Sequence, residues 1–171
     1  RRQRQMCIRD RYVRENGLDI TITFYGRVES DDKEDCMFCV SQFPDIVTYG
    51  GLLSQEIISR TLVNYDLMLF PTRYYTEGLP GTIIDAYIAN LPVIATDVGG
   101  NREIVAENIT GYLVMPKIPD QLAEAMSNVI ADRLKREAMG NAARKFCADR
   151  FNADNWAVYT EQKFEKSIKQ H

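Results

Sequence analysis

From Leu18 onward the chain alternates short strand-like runs with helix-like stretches, and this alternation restricts its fold more than any other feature. Residues 20–25 (ITITFY) are β-branched and aromatic and stop at Gly26. Residues 33–43 read as a helix that ends before Pro44, and residues 46–49 as a second strand closed by Gly50 and Gly51. Ser54 is placed to cap a helix reaching about Asn64, with Ser54-Gln55-Glu56-Ile57 lacking only the acid of a full capping box. Residues 67–70 form a third strand, expected to be buried because it is apolar throughout, and Pro71 ends it. A helix over 82–90, a strand over 92–96, a short helix over 101–107 and a strand over 112–114 follow. Helical stretches at about 119–130, 132–150 and 153–169 complete the chain. Strands separated by helices imply βαβ units, hence an α/β, Rossmann-like, doubly wound parallel sheet with a helical tail. Right-handed crossovers then bring the C-terminal ends of the strands to one edge, where such folds bind ligands.

At 171 residues, 45% hydrophobic and 26% charged, the chain has the size of one domain and can bury a core. Its net charge of −3 is unevenly spread. Residues 1–14 hold six arginines against Asp10, a local +5, which leaves −8 on the remainder. An acidic body argues against nucleic-acid binding. Segment 1–14 (it begins RRQRQMCIRDRY) matches nothing after it in charge or pattern, and it lacks the serines of a transit peptide. It is set apart as a foreign or disordered basic segment. No run is long and apolar enough to span a bilayer. Cys7, Cys36, Cys39 and Cys147 are too few for a disulfide scaffold, so a cytoplasmic setting is expected.

The chemistry concentrates in residues 72–90, TRYYTEGLPGTIIDAYIAN. A glycine-bearing turn between a strand's end and a helix's start aims backbone N–H groups at one point, and the helix adds partial positive charge there. Gly78 and Gly81 allow close approach of the backbone, while Pro80 stiffens the turn without an N–H of its own. Glu77 precedes the helix, and Asp85, eight residues later, lies about one turn into it. Glu77 can reach a sugar hydroxyl on one side of a bound diphosphate, and Asp85 can accept from a ribose diol on the other. Taken alone, the two could equally be a helix-terminal anion and a solvated helix residue. A second glycine turn, Asp97-Val98-Gly99-Gly100, ends the next strand beside the first, and Asn101-Arg102-Glu103-Ile104 opens another helix.

From Asp66 to about Val114 the chain resembles the C-terminal donor-binding domain of retaining GT-B-fold glycosyltransferases, glycosyltransferase family 4; the likeness extends over roughly residues 18–160 and includes the Met-Gly-Asn-Ala-Ala-Arg run ending at Arg144. The resemblance implies transfer of a hexosyl group from a nucleotide-diphosphate sugar to a sugar, lipid-linked or polysaccharide acceptor with retention of configuration. It also implies independence of metal and of any other cofactor, and no Asp-x-Asp pair occurs in the chain. Glu77 matches the first acid of the family's Glu-x7-Glu motif and would act on the donor sugar as the catalytic-site carboxylate. Asp85 stands where the second Glu is usual and would hold the ribose with a side chain one methylene shorter. Gly78, Leu79, Gly81 and Thr82 would line the diphosphate through their amides, around Pro80.

The same resemblance implies absent parts. The family's first strand, with its Arg and Lys for the diphosphate, has no counterpart, so a gap is expected between the strands at 20–25 and 67–70. Arg27, Arg73 and Arg102 lie near the expected cleft but match neither of that pair. Residues 15–150 would form the nucleotide-sugar-binding domain. Residues 151–171 would be a helix, carrying Trp156, Tyr159 and Phe164, that packs on an absent acceptor-binding half. Membrane contact, if peripheral, would come through that half, and the chain alone is expected to be inactive.

Other signals carry less. Cys36-Met37-Phe38-Cys39 has redox and zinc spacing but no second pair and no nearby histidine, and core packing explains it. Tyr74 and Tyr75 could stack on a base or an acceptor, or simply pack. No G-x-G-x-x-G occurs. A nucleotide-sugar epimerase or a phosphorylase of the same fold is the second enzymatic reading, and His171 as the single histidine weighs against the epimerase. A binding module without turnover is the non-enzymatic alternative.

Overall fold

The computed structural model describes residues 20–28, 30–76 and 78–152. Its elements run β1 (Ile22–Tyr25), α1 (Ser30–Gln42), β2 (Val47–Gly51), α2 (Ile58–Leu62), β3 (Met68–Phe70), α3 (Gly81–Ile88), β4 (Val93–Thr96), α4 (Asn101–Ile104), β5 (Gly111–Val114), α5 (Pro119–Ala131) and α6 (Arg133–Arg150). The segments at 1–14 and 153–171, including the tail helix expected from the sequence, lie outside the described residues.

Every strand pairing is parallel. β1 pairs with β2, and β3, β4 and β5 form a second sheet in that order. Among the described residues no ladder joins β1 to β3, so the break falls where the gap was expected. Side chains span it instead. The Tyr25 and Tyr65 hydroxyls hydrogen-bond at 2.7 Å with their rings edge to face, and Ile22 and Phe24 share a core with Leu67 and Leu69.

The pleat of the three-stranded sheet divides its side chains between two cores. Val93 and Ala95 face a cluster with Ile83, Ala86 and Tyr87 of α3 and Ala143 and Cys147 of α6. Ile94 and Val114 point the other way, onto Leu122, Ala125, Met126 and Val129 of α5. Helices therefore cover both faces, and β4 is buried at every residue. The apolar run at 67–70 was expected to be buried, but β3 is only half-buried, because one of its edges has no partner strand among the described residues.

Two helices are shorter than their sequence patterns suggest. The stretch from Ser54 is a turn leading into α2, and Ser54 contributes its backbone carbonyl, bonded by Ile57 and Ile58, where a side-chain cap was expected. The Val105 amide still closes a helical bond to the Asn101 carbonyl, and α4 goes no further because the Ala106 amide donates to the Thr110 hydroxyl at 2.9 Å. That hydroxyl also meets the buried Tyr87 hydroxyl at 2.7 Å, while burial pushes the phenol up to about 12. Cys39 is buried in α1 and Cys36 half-buried, neither in a disulfide, which fits their reading as packing residues.

α6 lies so close to the end of α3 that Gly140 has no room for a side chain. A Cβ there would sit 2.0 Å from the Asn90 carbonyl oxygen. The contact is reinforced by Asn90 donating to Asn141 at 3.1 Å. Gly140→Ala must push α6 off α3, and we expect a loss of about 1–3 kcal/mol, as for other overpacked sites. Denaturant unfolding measures this; a midpoint equal to that of the parent chain would show that the contact is not tight.

Candidate functional site

The loops that follow β3 and β4 leave the C-terminal ends of neighbouring parallel strands and face one another. Tyr75, Thr76, Gly78 and Leu79 of the first loop and Gly99, Gly100 and Glu103 of the second line a cleft of about 430 Å³. Gly99 adopts φ +54°, a left-handed turn that suits glycine, and this bends the chain sharply from β4 into α4. Tyr75 and Leu79 are exposed at its rim.

The first loop ends at Pro80, a buried residue in extended conformation that precedes α3 and offers no capping side chain. Its carbonyl accepts from Ile83 at 3.1 Å. No acidic residue lies in the first turn of α3, so the helix's positive end is uncompensated within the helix itself. A Cβ added at Gly78 or Gly81 would meet no atom within 4 Å, so both glycines border open space. Thr82 is half-buried behind them.

Asp85 stands four residues beyond Gly81, on the same face of α3 and about 6 Å further along its axis. It is half-buried, and burial alone raises its carboxyl above the ordinary 3.8. The structure does not bring it to the wall of the cleft. Its charge is instead felt by Cys147 of α6, whose thiol is pushed up by burial first and by Asp85 second. Glu77 lies outside the described residues.

The second loop holds two groups that its glycine pattern does not disclose. Glu103 reaches the cleft from α4, and a carboxylate three residues past a glycine turn was the signal for it. Arg102, expected near the cleft as a cation, grips both carboxylate oxygens of Asp97. That pairing holds the Asp97 carboxyl below its ordinary range, and the Arg102 charge is already matched. Among the described residues no helix is long and apolar enough to cross a membrane.

Parallel strands, helices on both faces and glycine turns at the strands' C-terminal ends define a Rossmann-like class of fold. The chain belongs to the family described as glycosyl transferases group 1, whose model matches residues 11–146. It is 35% identical over 124 residues to an alpha-maltose-1-phosphate synthase of Mycobacterium tuberculosis, covering 69% of this chain and 29% of that one. The chain spans about three tenths of the length of the curated relatives it matches. The fold is that of GT-B glycosyltransferases. The HepE protein of Anabaena in complex with UDP superposes with a TM-score of 0.74 at 19% identity, over 89% of this chain and 41% of that one. The C-terminal domain of a glycosyl transferase group 1 family protein from Francisella tularensis gives 0.72 at 20% identity, over 87% of this chain and 79% of that one.

The state of Asp85 has a pH signature. Its folded pKa lies above the unfolded value, so its contribution to stability is fully present below the ordinary 3.8 and is lost as pH rises through the folded value. At neutral pH a half-buried carboxylate opposes folding. Asp85→Asn should therefore raise the unfolding midpoint at pH 7, with the gain shrinking to nothing as pH falls below about 4. An equal effect at both pH values, measured by thermal unfolding, would refute this assignment.

Proposed function

We propose that this chain is the donor-binding, C-terminal part of a retaining glycosyltransferase of family 4, acting on a nucleotide-diphosphate sugar. One observation carries the reading: two glycine turns from adjacent parallel strands meet across a single cleft beside the uncapped start of α3. The diphosphate would lie against the amides of Gly78, Leu79, Gly81 and Thr82, with Pro80 holding their turn rigid. Glu77 would bind the hydroxyls of the donor sugar. Asp85 does not line the cleft itself and would accept from the ribose where the nucleotide extends beyond that lining along α3.

Retention needs no protein nucleophile when the acceptor attacks the face that the leaving diphosphate vacates. The work of the site is then to stabilise charge on the departing group, which oriented amides do in a partly desolvated cleft. The reading calls on no metal and no other cofactor, in keeping with a sequence that holds no Asp-x-Asp pair. The acceptor, whether a sugar, a lipid-linked sugar or a polysaccharide, would bind a further domain of the parent protein. That domain would also provide any peripheral membrane contact of a cytoplasmic enzyme.

Titrating UDP, GDP and their common sugars into the chain and its variants tests the site. Glu77→Ala should weaken binding of the nucleotide-sugar about tenfold and leave free nucleotide nearly unchanged, whereas Asp85→Ala should weaken both. A chelator should leave binding unaltered. A folded chain that binds no nucleotide, or variants that bind like the parent, would remove the donor-site reading. Binding by the complete parent protein without glycosyl transfer would favour a nucleotide-sugar-binding module.

A further inference from the structure

The two loops of the cleft are joined by hydrogen bonds that run through Thr96, the last residue of β4. The Thr96 hydroxyl donates to the Thr72 carbonyl at 2.5 Å, across from one loop to the other. The Thr72 hydroxyl in turn accepts from the Tyr74 amide at 3.2 Å, at the start of the run that reaches the cleft at Tyr75. On the other side the Thr96 carbonyl accepts twice, from the Val98 amide at 2.9 Å and from the Asn101 carboxamide at 2.8 Å. Both of its lone pairs are then engaged, and the Asp97–Gly100 turn is closed upon the strand end. Asn101 further binds the turn with its own amide, which donates to Val98 at 3.2 Å.

Thr96 and Asn101 are 5% and 0% exposed, and with Thr110 they are the buried polar side chains among the described residues, in an otherwise apolar set. The Asn101 carboxamide oxygen has no hydrogen-bond partner among the described residues. An orphaned buried acceptor is unfavourable, and an apolar residue of similar size would avoid it. The carboxamide thus stands at a cost to the fold, and the bond it makes to Thr96 is its visible return.

We propose that Thr96 and Asn101 are positioning residues, and that the relay Thr72–Thr96–Asn101 sets the separation of the two glycine turns that form the cleft. The relay acts through the walls made by Tyr75 and Thr76, Gly78 and Leu79, and Gly99 and Gly100. Its effect on nucleotide affinity rests on the donor-site reading above, whereas its effect on the loops does not.

Thr96→Val removes the hydroxyl and keeps the shape, Thr96→Ser restores it, and Tyr87→Phe deletes a buried hydroxyl outside the relay, bonded to Thr110 and to the Ile104 carbonyl. Two readouts are taken on the whole chain: affinity for UDP and GDP by calorimetry, and amide hydrogen exchange without ligand. Thr96→Val should weaken nucleotide binding about 5- to 10-fold, with Thr96→Ser within about twofold of the parent. Tyr87→Phe should lower the melting temperature with no change in affinity. In exchange, Thr96→Val should speed the amides of Tyr74–Thr76 and Val98–Gly100 together, which Tyr87→Phe should not. Equal affinity in Thr96→Val and the parent, equal weakening in Tyr87→Phe, or faster exchange in one loop only would overturn the relay. If the parent binds no nucleotide, the donor-site reading falls and the exchange data alone decide the relay.

Discussion

The burial of β4 is the constraint on which the rest of the molecule depends. A parallel strand with neighbours on both edges and helices on both faces has every backbone group in a ladder and every side chain in a core. Val93–Thr96 meets those conditions, with Val93 and Ala95 against α3 and α6 and Ile94 against α5. Because its side chains alternate between the two cores, a one-residue slip would exchange both faces at once, so the register with β3 and β5 is tightly held. The position of the cleft follows. Both of its loops begin at the ends of strands in this ladder, and Thr96 is at once the last rung and the tie between them.

The site is made from what the core leaves unmatched. The first turn of α3 has neither a capping side chain nor an acid, Asp85 is half-buried with its pKa raised, and Asn101 keeps a buried oxygen without a partner. Each lowers stability, and all lie at or near the C-terminal edge of the sheet. The opposite pattern holds away from the cleft. Asp132 accepts the Lys135 amide at the start of α6, the Tyr87 and Thr110 hydroxyls satisfy each other, and the Leu113 amide of edge strand β5 and the Met115 amide just past it are taken up by Glu107 and Gln121. Ser127 of α5 is an exception, with a buried hydroxyl that has no partner among the described residues.

Much of the fold could be read in the chain because its signals are local. The β-branched run at 20–25, the apolar stretch at 92–96 and the glycine turns after 70 and 96 each need only a few neighbouring residues to act. Helix ends were harder, since they depend on partners far along the chain: α4 stops where Thr110 draws off an amide, and no residue near Ile104 announces it. The β3 strand shows the same limit, because apolar character marks a wish to be buried while the number of paired edges decides how far that is met.

By itself, then, the sequence determined the parallel α/β class and the two glycine turns, and it offered the residues from Glu77 to Asp85 as a candidate donor site. Periodicity, turn chemistry and motif spacing are properties of the covalent chain. Tertiary structure alone decided that Glu103 joins the cleft, that Arg102 is spent on Asp97, and that Asp85 stands back from the wall beside α6. Those outcomes turn on distances between segments that only the packing of the sheet and its helices brings together, and on how much water each charge loses there.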